Sequence, residues 1–441
     1  MRIFFFAYVL PTVISLLLGC QGAIAALGVD ITKGNTEKVK ISVAPMHSST
    51  NLEKEIGKSC IRVMLRDLNS TGIFDASWKL PAGGFGTTSD GMPDSSAWTS
   101  VAKDVLVTGS IKEFAQGRVK VKLFIWDVAS GRQLSGKSFN FATGNWRRAA
   151  HSMSDSIYSR ITGEGGYFNT RIAYVAETGL PGSRRIAIMD QDGANNIYIT
   201  GRGEFVSTPR FSPDARNLVY MSYAKSGGSV VLHDLETGYS TALGGVRGVN
   251  SSPRFSPDGR HVLLSESAQG STNIYSIDLK SGKSTRLTND RSINTSASYS
   301  PDKKSIVFNS DRSGRPQLYV MNADGTNQRR ISSGKGGYSA PAWSPRGDWI
   351  AFTKTEGKSF HVGVMKPDGS GERLLAKGYM VDSPSWSPNG RVILFTQQDP
   401  PSATHPFRSR LVTVDITGTN TQILDVPTNA SNAHWSPVLR E

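Results

Sequence analysis

Apolar positions along the chain change period in a way that marks out elements. Val39, Ile41 and Val43 alternate with polar neighbours, as in a half-buried strand. Leu52, Ile56, Ile61, Met64, Leu65 and Leu68 recur at helical spacing and predict an amphipathic helix that ends near Gly72. Residues 81–100, rich in Gly, Ser, Asp and Pro, read as a loop. Residues 105–109 form a strand, and 119–128 with 137–141 a hairpin. Trp146, Ala149, Met153, Ile157 and Ile161 share one face of a second helix. Together they predict a small α/β domain over residues 39–163, with the glycine-rich stretch 163–166 as a hinge.

Beyond residue 164 the pattern repeats. An aromatic-Ser-Pro triplet has its aromatic at Phe211, Phe255, Tyr299, Trp343, Trp386 and Trp435, in steps of 44, 44, 44, 43 and 49 residues. Asp or Asn and then Gly often follow, as in Ser256, Pro257, Asp258, Gly259. This is hairpin chemistry: Pro fixes φ, Asp or Asn accepts local backbone bonds, and Gly takes a positive φ. The third turn lacks Gly (Asp302, Lys303), and the fourth carries Arg346 in place of Asp. Seven residues after each of the first five aromatics an apolar strand begins, such as Leu218, Val219, Tyr220 or Ile306, Val307, Phe308. A sixth copy, Ile172, Ala173, Tyr174, has no triplet before it, and the last triplet has no strand after it. The two half-units complete each other if the strand near Ala433 and Ser436 pairs with the one at Ile172 and closes a ring. Four strands per unit of about 44 residues fit one propeller blade. The predicted fold is an α/β N-terminal domain followed by an all-β six-bladed β-propeller over residues 164–441.

Composition narrows the class. With 38% hydrophobic and 20% charged residues in 441, the chain is neither disordered nor a membrane bundle. Residues 1–25 read as a signal peptide: Arg2, an apolar run, then Ala23, Ile24, Ala25, with cleavage between Ala25 and Ala26. Leu17, Leu18, Gly19, Cys20 offer an alternative, a lipobox that would make Cys20 a lipidated N-terminus. Cys60 is then the remaining cysteine, too few for a disulfide framework, and it reads as a buried thiol. The net charge of +14 is scattered rather than striped, which argues against nucleic acid and for an anionic partner or envelope surface.

Gly131, Gly136, Lys137 and Ser138 match the phosphate-loop pattern letter for letter. The residues after them alternate like a strand instead of opening a helix, so a hairpin is the better reading. No Gly-x-Ser-x-Gly elbow occurs, and the histidines show no metal-ligand spacing. No catalytic residue, cofactor or metal is expected. An enzyme working in the propeller channel and a carbohydrate-binding propeller are the alternatives to a protein-binding scaffold.

The repeats, the junction from Thr170 to Val175, the run from Asp311 to Tyr319 and the ending Trp435, Ser436, Pro437 resemble the TolB family over nearly the whole chain. The resemblance implies a periplasmic protein of the Tol–Pal envelope system in a Gram-negative bacterium, active in outer-membrane integrity and in constriction at cell division. It implies two partners: the lipoprotein Pal, bound by the propeller, and TolA, bound by an N-terminal arm. A monomer is expected, membrane-associated only through these partners. The arm is placed at residues 26–38, with Leu27, Val29, Asp30 and Ile31 as its contacts; a segment of this kind can add as a strand to a partner's sheet edge. The arm only loosely follows the family's alternating apolar segment. The Pal face is expected where blade-to-blade loops converge at one channel mouth: Val206, Ser207, Thr208; Val249, Asn250, Ser251; Asn294, Thr295, Ser296; Tyr338, Ser339; Met380, Val381, Asp382; and Asn429, Ala430, Ser431. Tyr338 and Met380 are the expected anchors.

Overall fold

Thr50 starts the first helix through a reciprocal cap. Its hydroxyl accepts the Glu53 N–H at 3.2 Å, and the Glu53 carboxylate accepts the Thr50 N–H at 3.1 Å. Glu53 also accepts the N–H of Glu113 at 2.8 Å, which pins the helix to the sheet. The computed structural model describes residues 37–440 except 83, 85, 99, 178–182, 225–226, 244–248 and 403–407, with side chains for all of these but 95, 224, 249 and 250. The arm residues Leu27, Val29, Asp30 and Ile31 and the cleavage pair Ala25 and Ala26 lie outside the described residues.

The N-terminal domain is one five-stranded sheet with two long helices. Its elements are β1 (Val39–Val43), α1 (Asn51–Ser70), β2 (Phe74–Trp78), the one-turn α2 (Ser95–Trp98), β3 (Val105–Ala115), β4 (Arg118–Asp127), β5 (Arg132–Ala142) and α3 (Trp146–Thr162). The sheet order is β2-β1-β3-β4-β5, parallel around β1 and antiparallel beyond β3. Ile56, Cys60, Met64 and Leu68 of α1 and Met153, Ile157 and Ile161 of α3 are buried in one core. Leu52, assigned to the apolar face from spacing, is 46% exposed, because it sits in the first turn beyond the sheet. The predicted loop 81–100 folds around Trp98, whose indole donates to the Gly86 carbonyl at 2.8 Å.

Six four-stranded sheets follow, each one blade. Blade 1 closes the ring: Asn429–Trp435 pairs antiparallel with Arg171–Glu177, with Trp435 opposite Ile172 and His434 opposite Ala173. Blades 2 to 6 start with the inner strands Phe205–Phe211, Val249–Phe255, Asn294–Tyr299, Gly337–Trp343 and Met380–Trp386. In the turn after each of the first five aromatics the serine works as a staple. Ser256 Oγ donates to Asp258 at 2.6 Å and accepts the His261 N–H at 3.0 Å, and Ser300 and Ser387 repeat the arrangement. Where Arg346 replaces Asp, Asp348 accepts the Ser344 hydroxyl instead, at 2.9 Å. Ala215 and Lys303, which stand where Gly is usual, keep the left-handed conformation at φ 59° and 62°.

The α/β domain sits on the face that carries these turns. Arg147 pairs with Asp190 and Asp192, Gln191 donates to Asp67, and Asn420 and Gln422 donate to the Ser70 carbonyl. The stretch read as a hinge is fastened down. Glu164 pairs with Arg391 and Arg346, and Asn389 donates to the Gly165 carbonyl. Its core is continuous with the propeller through Tyr167, Ile172, Leu394 and Trp435.

Candidate partner-binding face

The segments expected as converging loops are instead the first halves of the inner strands, on the face away from the α/β domain. The reason is a bulge in each strand. Thr208, Ser252, Ser296, Ala340, Ser383 and Asn432 hold φ of 50°, 52°, 58°, 47°, 57° and 53°, and the pairing register shifts around each in turn. The small and polar residues of the expected loops belong to these bulged strands.

This placement corrects several side chains. Tyr338 is fully buried, with its ring 5.3 Å from Phe352 and its hydroxyl donating to Glu372 at 2.8 Å. Lys354 lies 5.1 Å over the ring and pairs with the same carboxylate at 2.8 Å. Burial opposes the charge on Lys354, but the Glu372 carboxylate outweighs it and holds the ammonium above its ordinary pKa. Tyr338 is therefore a packing residue, not an exposed anchor. Asn294 is also buried: it donates to the Thr272 carbonyl at 3.2 Å and to Asp290 at 3.0 Å, and accepts from Arg312 at 2.9 Å. Arg312 pairs with Asp290 and lies over Tyr319, so the network stiffens the blade 4 rim. Val381 and Ala430 are buried as well.

Other expected residues reach the surface. Met380 and Asp382 are exposed, and Thr295 and Ser339 are half-buried. Val249 and Asn250 pair with Ser267 and Glu266 through the backbone of the blade 3 inner strand. Three exposed residues of the same rim escaped sequence reading: Phe205, Ile293 and Tyr379, at 41%, 50% and 53%. Each directly precedes a segment that was singled out, yet none belongs to the repeated motif. Phe205 is held between Tyr223 at 5.4 Å and the Arg184 guanidinium at 5.1 Å. With Met380 they make a broken apolar ring on a rigid scaffold, the kind of surface on which a protein partner finds anchors.

Catalytic readings find little support here. The phosphate-loop look-alike from Gly131 lies on the β4–β5 hairpin, since β5 begins at Arg132 and pairs along β4. Asp67, His151 and Asp192 bring donor atoms within 4.8 Å of one another. Arg147 and Arg66 already engage Asp192, and Gln191 engages Asp67, so the cluster is an ion network between domains. Among the described residues no helix is long and apolar enough to cross a membrane.

These features define a six-bladed β-propeller with an α/β domain on its turn face and an exposed apolar rim on the other. Residues 158–439 match the TolB beta propeller domain and residues 27–134 the TolB amino-terminal domain. The chain belongs to the TolB family. It is 99% identical over 441 residues, 100% of each chain, to the Tol-Pal system protein TolB of Anaplasma marginale (strain St. Maries). It is 42% identical over 243 residues, 54% of each chain, to that of Rickettsia felis. The crystal structure of TolB from Acinetobacter baumannii superposes with a TM-score of 0.79 at 27% identity, covering 91% of this chain and 97% of that one.

Proposed function

We propose that the chain is a periplasmic protein-binding component of the Tol–Pal system: its propeller binds Pal through the rim away from the α/β domain, and its N-terminal arm, residues 26–38, binds TolA. The observation that carries the propeller assignment is the set of exposed apolar side chains Phe205, Ile293, Tyr379 and Met380 on inner-strand ends. The α/β domain occupies the opposite face. The protein works by binding and is not an enzyme; it links its partners in maintaining the outer membrane and in envelope constriction at division.

Replacing Ile293, Tyr379, Met380 and Asp382 together should weaken Pal binding by at least about tenfold, roughly 1.4 kcal/mol, without changing the melting temperature. Calorimetric titration measures this. Unchanged affinity in the folded variant would move the Pal site elsewhere. Deleting residues 26–33 should abolish TolA binding and spare Pal binding; undiminished TolA affinity would rule out the arm.

A further inference from the structure

The residue immediately before each repeat aromatic points to the propeller axis. These six residues are His434, Arg210, Arg254, Ser298, Ala342 and Ser385, and they line a channel of about 400 Å³ that opens on the turn face. Two of them are arginines on adjacent blades, and none is acidic. Arg210 is buried and, among the described residues, donates to two carbonyls, those of Pro209 at 2.7 Å and Asn432 at 3.3 Å. Arg254 Nε is buried and has no acceptor among the described residues.

The neutral members of the ring are set as donors. The Phe211 N–H donates to His434 Nδ1 at 3.1 Å, which requires that nitrogen to be unprotonated and leaves the proton of a neutral ring on Nε2. The N–H of Trp343 donates to Ser298 Oγ at 3.3 Å and that of Trp435 to Ser385 Oγ at 3.0 Å. Each hydroxyl has accepted a bond and keeps its own proton to give.

The electrostatics agree. Burial lowers the pKa of Arg210, and the neighbouring Arg254 lowers it further, to about 9; Asp382 partly opposes the shift. Burial lowers Arg254 to about 10, so both stay charged at neutral pH. Burial and then the two guanidiniums push His434 well below the usual histidine value. Asp382 acts on Arg210 through space but bonds to Thr353 and Ser383 instead. In the turns that follow the channel-lining strands, Asp214 and Asp302 are held by their turn serines, and Asp258 by Ser256 and Lys303. Two cations in one channel with no carboxylate paired to them among the described residues are costly, and the planar guanidinium fork suits an oxyanion.

We propose that the propeller channel is an anion site, where Arg210 and Arg254 bind a small oxyanion, inorganic phosphate or a short carboxylate, with Ser298, Ser385 and His434 as neutral donors. The site joins blades 1 to 4 and 6 across the axis and lies on the α/β side of the bulge ring.

The test titrates the full-length protein by calorimetry with inorganic phosphate and, separately, with acetate at constant ionic strength. Saturable one-to-one binding of either anion is the expected result, and the arm that binds identifies the source. Arg254→Met should weaken it at least tenfold and abolish the rise in melting temperature that the anion produces. Binding unchanged in Arg254→Met, or no saturable binding of either anion, would overturn the proposal. A second measurement needs no variant: crystals of the unaltered protein soaked in selenate should show anomalous scattering between the two guanidiniums. A channel without that peak would likewise overturn it.

Discussion

Trp435 offers a direct test of ring closure. It is the last residue of the closing strand, lies opposite Ile172, and is 4% exposed. Its ring meets Tyr167 edge-on at 5.9 Å, its indole donates to Thr170 Oγ1 at 2.8 Å, and its N–H donates to Ser385. The side chain thus ties the closing strand to the segment leading out of α3, while the main chain of the same residue reaches blade 6. Trp435→Ala removes the ring and leaves a cavity, which costs about 3–5 kcal/mol. It also deprives the Thr170 hydroxyl of its donor, about 1 kcal/mol more. In a propeller of this size each kcal/mol lowers the melting temperature by about 2 °C, so the expected drop is roughly 8–12 °C. Trp435→Phe keeps most of the packing and loses the indole bond, so it should fall by about a third as much or less. Val438→Ala, beyond the strand and 44% exposed, should melt like the parent. Thermal denaturation followed by circular dichroism reads all three. A Trp435→Ala protein that melts with the parent would refute closure by this strand. A Trp435→Phe protein as damaged as the alanine variant would refute packing as the main term.

Three further outcomes follow from the domain junction. Glu164→Gln removes the partner of Arg391 and Arg346 and should cost about 2 kcal/mol. Burial opposes the Glu164 charge, but Arg391 and then Arg346 outweigh it and hold the carboxyl low, so this contribution is present above the ordinary carboxylate range and lost as pH falls. An acid melting profile unchanged in the variant would contradict it. Burial works against charge on His151, yet Asp67 and the carboxylates of Asp192 and Asp190 raise its pKa. Its stabilisation is full below the ordinary histidine value and lost as pH rises through the folded one, so His151→Gln should flatten the fall in stability as pH rises above the ordinary histidine range. A parent profile already flat there would disprove this. A Cβ on Gly166 would lie 2.2 Å from Asp155 Oδ1, and that carboxyl is held by the N–H groups of Phe168 and Asn169. Gly166→Ala should therefore cost about 1–3 kcal/mol, read in the same melting assay, and no loss would mean that Asp155 moves aside freely.

Blade number, the hairpin turns and the partnership of the last strand with Ile172 were legible in the chain because each rests on local chemistry repeated at a fixed interval. Pro, Asp and Gly specify a turn within four residues, and two half-repeats at opposite ends leave one way to complete the ring. The βα pattern of the first domain and the hairpin nature of the Gly131 segment were legible for the same reason. Which side chains of the inner strands face a partner was not. Alternation assigns faces only while pairing is regular. The positive-φ residue in each inner strand shifts the register, so Tyr338 and Asn294 turn inward while Met380 and Asp382 stay out. Phe205, Ile293 and Tyr379 belong to no repeated motif, and their common rim exists only when six blades are arranged about an axis. The stretch 163–166 has the composition of a hinge, yet Arg346 and Arg391, some two hundred residues away, make it an anchor. Arg210 and Arg254 are 44 positions apart and meet only in the channel. Local propensity writes the turns and strands; the closure of the ring decides which distant charges share one low-dielectric space.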